Sequence, residues 1–419
     1  MSFSKKLSCM RLRIMFKKSV IYLLLNYSLQ VVNIALNLLF MRYLNSSQMG
    51  SLTLARTWQQ LTDYSHLGTR FSLDRYIPVS IDRDRGKMVA SVLIFTLLSA
   101  SILLAIAALS TKGDATVVSL ALCGVGISLA NIIKCYYRAS ERISEMLKLV
   151  FFCQLIPVVI PLLIYLINSN WNYYLVSSVT CYIIFIVRLL YIERKLFANI
   201  DFKTIFNVLS KLASSSVLLF ANAIFVFLSL VMDRFFIDNN LGRDMLGAYS
   251  VITFAFTALM IIPSTCAELL FVKVVRQSSS DGKKIFFKEV CIILGVTILG
   301  VIAANIVMGY FITNFTKYGN FIKEIHLATF GVIPYAFTSI YYHVINGLDM
   351  RKQLVFVNGF LCLALSMYYI MPLFKPFQVD LDYYIYAKLA TGWFIVAGYI
   401  LCVLYHQFVI ANKIKDVTT

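Results

Sequence analysis

Residues 290–313, VCIILGVTILGVIAANIVMGYFIT, run for 24 positions without a charged side chain. At 1.5 Å per residue such a stretch forms a helix of about 36 Å, enough to cross a hydrocarbon core of about 30 Å. The segment before it, 273–288, holds five Lys and Arg, and the loop after it, 314–325, holds two. The same unit of apolar run and short loop repeats in both directions. The expected spans are 20–41, 49–68, 88–110, 116–136, 149–167, 173–192, 212–236, 246–272, 290–313, 326–346, 353–371 and 384–406, the second being the least hydrophobic. The fold class is therefore an all-α membrane protein of about twelve transmembrane helices. A hydrophobic share of 60% and a mean hydropathy of +0.79 fit that class and exclude a soluble domain.

The net charge of +18 suggests nucleic acid only until it is placed along the chain. Every second loop is basic: segments 1–19, 69–87, 134–148, 194–211, 273–288, 351–352 and 413–415 carry 28 Lys and Arg, against 7 in the intervening loops with Arg234 counted among them. That asymmetry is the positive-inside rule. It predicts a multi-pass protein of the bacterial inner membrane with both termini cytoplasmic, an uncleaved first helix and no nucleic-acid partner. No outer loop exceeds about a dozen residues, so none has room for a soluble domain. The nine cysteines show no metal-ligand spacing. No GxxxxGKS or GxxxxGKT pattern is present, and no Ser/His/Asp constellation stands out. No cofactor is expected, and energy for transport would come from an H+ or Na+ gradient, from substrate supply or from removal of product.

An internal repeat lies at an offset of about 196. Asn26, Gln30, Asn33 and Asn37 are spaced 4, 3 and 4, which sets four amides on one helical face. Adding 196 gives Asn222, Val226, Ser229 and Asp233, polar at three of four positions. Each helix leads through a short loop into a glycine, Gly50 or Gly247. The expected organisation is two pseudo-symmetric six-helix bundles around a central cavity, residues 1–200 and 201–419.

Charges inside spans are costly, roughly 2.5–3.5 kcal/mol at mid-bilayer on insertion scales. The second span places Arg56, Gln60, Asp63 and His66 along one face. Two readings stay open: a hydrated cavity where Arg56 meets an anion with Asp63 as counter-ion or proton-linked group, or an internal Arg–Asp network. Asp233 and Arg234 lie at the outer end of the seventh span, where Arg234 can also snorkel. Lys388 sits about a turn inside the twelfth. Pro157, Pro161, Pro263 and Pro334 predict bends.

The stretches Phe40-Met41-Arg42-Tyr43-Leu44, Gln48-Met49-Gly50, Leu67-Gly68 and Arg75-Tyr76 resemble the opening of polysaccharide repeat-unit flippases. Asp233-Arg234-Phe235-Phe236-Ile237 with Leu246-Gly247-Ala248-Tyr249 resembles the start of their second half. The chain is identified as similar to O-antigen flippases of the Wzx type, within the multidrug/oligosaccharidyl-lipid/polysaccharide exporter superfamily. It departs from them at Asn45, where a glycine usually follows the leucine. The resemblance implies translocation of undecaprenyl-pyrophosphate-linked oligosaccharide for lipopolysaccharide or other polysaccharide biosynthesis. It implies membrane lipids, a polysaccharide polymerase and a chain-length regulator as partners. Arg56 would then meet phosphate, and the amides of Asn26, Gln30, Asn33 and Asn37 would meet sugar hydroxyls, being donor and acceptor together. A multidrug-type ion-coupled exporter would favour buried carboxylates without arginines beside them. A membrane polymerase or acyltransferase would need catalytic groups on a large outer loop, and the outer loops are too short.

Overall fold

The computed structural model describes residues 21, 24, 25, 27–78, 80–197, 201–260, 263, 287–347, 350–374 and 379–418. Among them all regular structure is helical. The helices are α1 (residues 27–43), α2 (Ser46–Asp63), α3 (Thr69–Tyr76), α4 (Asp82–Ser110), α5 (Ala115–Ala139), α6 (Ile143–Asn168), α7 (Trp171–Ile192), α8 (Phe202–Asn240), α9 (Arg243–Ile252), α10 (Phe254–Leu259), α11 (Phe287–Phe315), α12 (Ile322–Phe330), α13 (Val332–Gly347), α14 (Arg351–Phe374) and α15 (Leu381–Thr418).

Eight of these, α4 to α8, α11, α14 and α15, are long and apolar enough to cross a membrane. The remaining four expected spans fall short for identifiable reasons. The first is described only in part, and the second is too polar. The eighth is α9 and α10, separated at Thr253, with most of 261–272 outside the described residues. The tenth is cut into α12 and α13 at Gly331.

Local chemistry sets the boundaries. Asp114 accepts from the N–H groups of Thr116 and Val117, at 2.9 and 3.4 Å, and so starts α5; Asn170 does the same for α7 through Asn172. Asp201 accepts from Thr204 ahead of α8, and that bond holds its carboxyl below the ordinary carboxylate range. Helix α2 ends in a 3-10 turn, Tyr64–His66, followed by Leu67 and Gly68 in the left-handed region. A Cβ at Gly68 would also lie 2.6 Å from the Cβ of Phe220, so glycine is required there twice over. Helix α6 carries a π segment, Val150–Leu155, immediately before Pro157. Proline has no N–H to give the carbonyl four residues back, and the wider turn absorbs the mismatch. Pro161 lies inside the same helix and Pro334 near the start of α13, whereas Pro263 lies in a stretch otherwise outside the described residues.

The chain forms two compact units. Unit 1 comprises the described residues up to Phe40 with Leu54–Phe220, and unit 2 comprises Met41–Thr53 with Ala221–Thr419. Unit 1 packs around Val89, Leu93, Leu129, Ile132 and Ile133, and unit 2 around Val332, Tyr335, Ile345 and Tyr399. Two aromatic groups recur at related places within the units. In unit 1 Phe40 stands edge-on to Tyr165, Trp171 and Tyr174, with centroids 5.1–5.5 Å apart. In unit 2 Phe236, 196 residues on, meets Tyr369 at 5.5 Å, which meets Tyr384 at 5.3 Å. Each group joins the first helix of its repeat to the last two.

Candidate functional site

In unit 1 the polar face of α2 is set by what its other face packs on. Leu54, Ala55, Thr57, Trp58 and Thr62 are buried. The Thr62 hydroxyl donates to the Ala121 carbonyl of α5 at 3.0 Å. A Cβ at Gly124 would collide with Thr62 and the Gln59 carbonyl, so the two helices cross at backbone distance. Gln60 is therefore exposed, with Arg56 and Asp63 half-buried on the same side. A face of this polarity does not face hydrocarbon; it faces water or a polar ligand.

Arg56 and Asp63 do not serve each other as the sequence suggested. Seven helical residues separate them by about 10 Å, and each has its own partners. Arg56 donates to the Asn37 amide oxygen and lies over the Phe40 ring at 5.7 Å. Asn37 in turn donates to the Asn33 carbonyl at 2.8 Å. Asp63 accepts from Arg70 at 3.4 Å and from the Asn131 amide at 3.2 Å, and Gln154 donates to the other end of that amide at 3.1 Å. His66 is fully buried: its Nδ1 accepts from the Gly68 N–H at 2.9 Å, and its Nε2 has no hydrogen-bond partner. His66 thus holds the break after α2 rather than lining an opening. Gln30 and Asn33 are half-buried, and Asn26 lies outside the described residues.

In unit 2 the corresponding stripe is closed. Asp233 and Lys388 form an ion pair at 2.9 Å with side chains 2% and 10% exposed. The Tyr249 hydroxyl donates to the same carboxylate oxygen, and the Lys388 ammonium also donates to the Leu230 carbonyl at 2.9 Å. The rings of Tyr249 and Phe256 lie 5.9 and 5.5 Å from the ammonium. A cavity of about 10 Å³ beside it holds at most one water, so Lys388 is a buried partner here and not the wall of a substrate path. Asn222 accepts from Asn358 at 2.7 Å, and Asn358 accepts from Tyr399 at 3.0 Å. The Ser229 hydroxyl donates to the Phe225 carbonyl, and Arg234 is half-buried with its N–H bonded to Asp233.

Sequence reading missed three members of the unit 1 cluster. Arg70 looked like one more basic loop residue, and Asn131 and Gln154 are single amides in apolar runs. A second polar lock lies beyond the ends of α5 and α7. Glu193, largely buried, accepts from Tyr137 at 2.7 Å and Arg142 at 3.1 Å. Burial opposes the Arg142 charge, but the bond and charge of Glu193 outweigh it and raise its pKa.

These features define a multi-pass, all-α membrane protein with the fold of MOP-superfamily transporters. An inward-facing multidrug resistance MATE family transporter of that superfamily matches with a TM-score of 0.63 at 12% identity, over 92% of this chain and 96% of that one. The lipid II flippase MurJ, in an inward closed conformation, matches with a TM-score of 0.59 at 14% identity, over 94% and 87%. The MATE multidrug transporter DinF-BH matches with a TM-score of 0.55 at 11% identity, over 94% of each. No family model and no curated protein matches the sequence.

Proposed function

We propose that this protein flips undecaprenyl-pyrophosphate-linked polysaccharide repeat units from the cytoplasmic to the periplasmic leaflet of the inner membrane by alternating access. The observation that carries this reading is the pairing of the carboxylates. Among the described residues Asp233 is matched by Lys388 and Asp63 by Arg70, while the half-open face of unit 1 offers Arg56, Gln60 and amides. Such a face suits an anion beside hydroxyl groups better than a cation. The match to a lipid II flippase fits this reading.

A multidrug-type exporter is the second reading, favoured by the equally good fold match to two MATE proteins. The two separate in one experiment. Deletion of the gene is expected to leave lipid-linked repeat units on the cytoplasmic leaflet and remove surface polysaccharide. Unchanged polysaccharide together with new sensitivity to lipophilic cations would favour the exporter.

A further inference from the structure

The geometry points to Arg70, with Asn131 and Gln154, as a phosphate-and-hydroxyl binding site in unit 1, guarded by Asp63. The inference rests on the flippase reading and deepens it, since Arg56 alone carried the anion in the sequence argument.

The cluster lies within the transmembrane region. Asn131 is eight residues from the end of α5, and Gln154 is eleven into α6, about 12 and 16 Å along the helices from the 140–142 loop. Yet the Arg70 and Asp63 side chains are 22% and 27% exposed, and Asn131 and Gln154 are half-buried. An arginine and carboxylate that open at such a place open to water. Arg70 also begins the basic segment 69–87, so the cluster is reached from the side of the basic loops.

Its hydrogen bonding is incomplete in a particular way. A guanidinium has five donors. Among the described residues Arg70 uses one, on a single Asp63 oxygen at 3.4 Å, and its guanidinium lies 5.5 Å from the Phe71 ring. A fork–fork pair would use two shorter bonds, so Asp63 keeps Arg70 company without occupying its fork. Asn131 is tied at both ends, by Asp63 and Gln154. Gln154 spends its amide N–H on Asn131, leaving its oxygen as an acceptor. The cluster thus presents an unused guanidinium fork beside an amide oxygen. A phosphate ester next to a sugar hydroxyl has the reciprocal set, acceptor oxygens beside a donor. The π segment is what brings Gln154 there, and π turns are frequent at functional sites.

The test uses the full-length protein in nanodiscs, with undecaprenyl pyrophosphate as probe, undecaprenol as the uncharged control and inorganic pyrophosphate as competitor. Wild type is expected to bind the first and not the second, and competition by inorganic pyrophosphate tells headgroup recognition from recognition of the whole lipid. Arg70→Ala is expected to weaken binding about tenfold or more, Arg70→Lys less, and Gln154→Ala to leave the bare probe unaffected while weakening a probe that bears one sugar. Asp63→Asn removes the guard, so binding should be retained or tightened; this variant separates anion binding from a merely structural ion pair. Wild-type affinity in Arg70→Ala alongside loss in Arg56→Ala would overturn the inference while sparing the flippase reading. Weaker binding in Asp63→Asn than in wild type would also overturn it. Failure of wild type to bind undecaprenyl pyrophosphate at all would count against the flippase reading itself.

Discussion

A Cβ placed on Gly247 would lie 3.1 Å from the backbone nitrogen of Gly50, 197 residues earlier in the chain. The relationship is reciprocal: that Cβ would collide with the Ser46 carbonyl, and one on Gly50 with the carbonyl of Arg243, which is Ser46 plus 197. Helices α2 and α9 therefore start by crossing at their glycines, each donating the same surface. The crossing is tied further by Arg243, which donates to Ser51 at 3.1 Å and pairs with Asp238 at 2.6 Å.

Gly50→Ala and Gly247→Ala should each lower the melting temperature of the purified protein by about the same amount, because each drives a methyl into a backbone carbonyl. Overpacking typically costs about 1–3 kcal/mol, and the rigid neighbour puts these at the upper end. Gly295→Ala, which meets no atom within 4 Å, is the control. A melt unchanged in Gly50→Ala would show that the helices separate easily at this point.

Removing one member of the buried pair, by Asp233→Ala or Lys388→Ala, should destabilise by about 3–5 kcal/mol, since the remaining charge loses its partner. The double variant should recover much of that loss, giving a coupling energy measurable by a double-mutant cycle. Additive single effects in denaturation would mean that the two groups do not depend on one another.

Arg56→Ala should abolish surface polysaccharide at matched membrane levels, and Arg56→Lys should retain part of it. Asn37→Ala should be milder, because it removes the group that aims the guanidinium and leaves the charge. Polysaccharide at the wild-type level in Arg56→Ala would make this arginine a structural element of the aromatic group around Phe40.

Glu193→Ala should cost about 1–3 kcal/mol, because the Tyr137 hydroxyl is left in a buried place without its acceptor. The loss should be largely relieved by adding Tyr137→Phe, and thermal melting of the three variants reads it directly.

Cysteines introduced at Asn170 and Lys317 should react with an impermeant maleimide in intact cells, and one at Asp84 should not. Protection of the first two would reverse the topology read from the loop charges.

The helices were legible in the sequence because apolar runs and loop charge are one-dimensional signals. The amide stripe of α1 and its echo in Asn222, Ser229 and Asp233 were legible for the same reason, being a spacing within one helix. Pairing was not. Asp63 shares a face with Arg56 but bonds to Arg70 beyond a break in the backbone and to Asn131 on another helix. Lys388 read as an open charge because nothing local shows that Leu230, Asp233 and Tyr249 converge on its position from α8 and α9. The break itself left a trace only in Leu67-Gly68, which read as a family likeness rather than a left-handed turn.

The wide turn at Val150–Leu155 governs how this helix tolerates change. A π turn takes in one more residue than the α turns around it, so every side chain from Pro157 onward is phased by that surplus, including Tyr165 where it meets Phe40. Deleting a single residue there would let the helix close into regular turns and rotate the remaining stretch by about 100° about its axis, carrying Tyr165 away from Phe40. At this point in the chain, length is under tighter constraint than identity, and an indel should do more harm than any one apolar substitution among the same six residues.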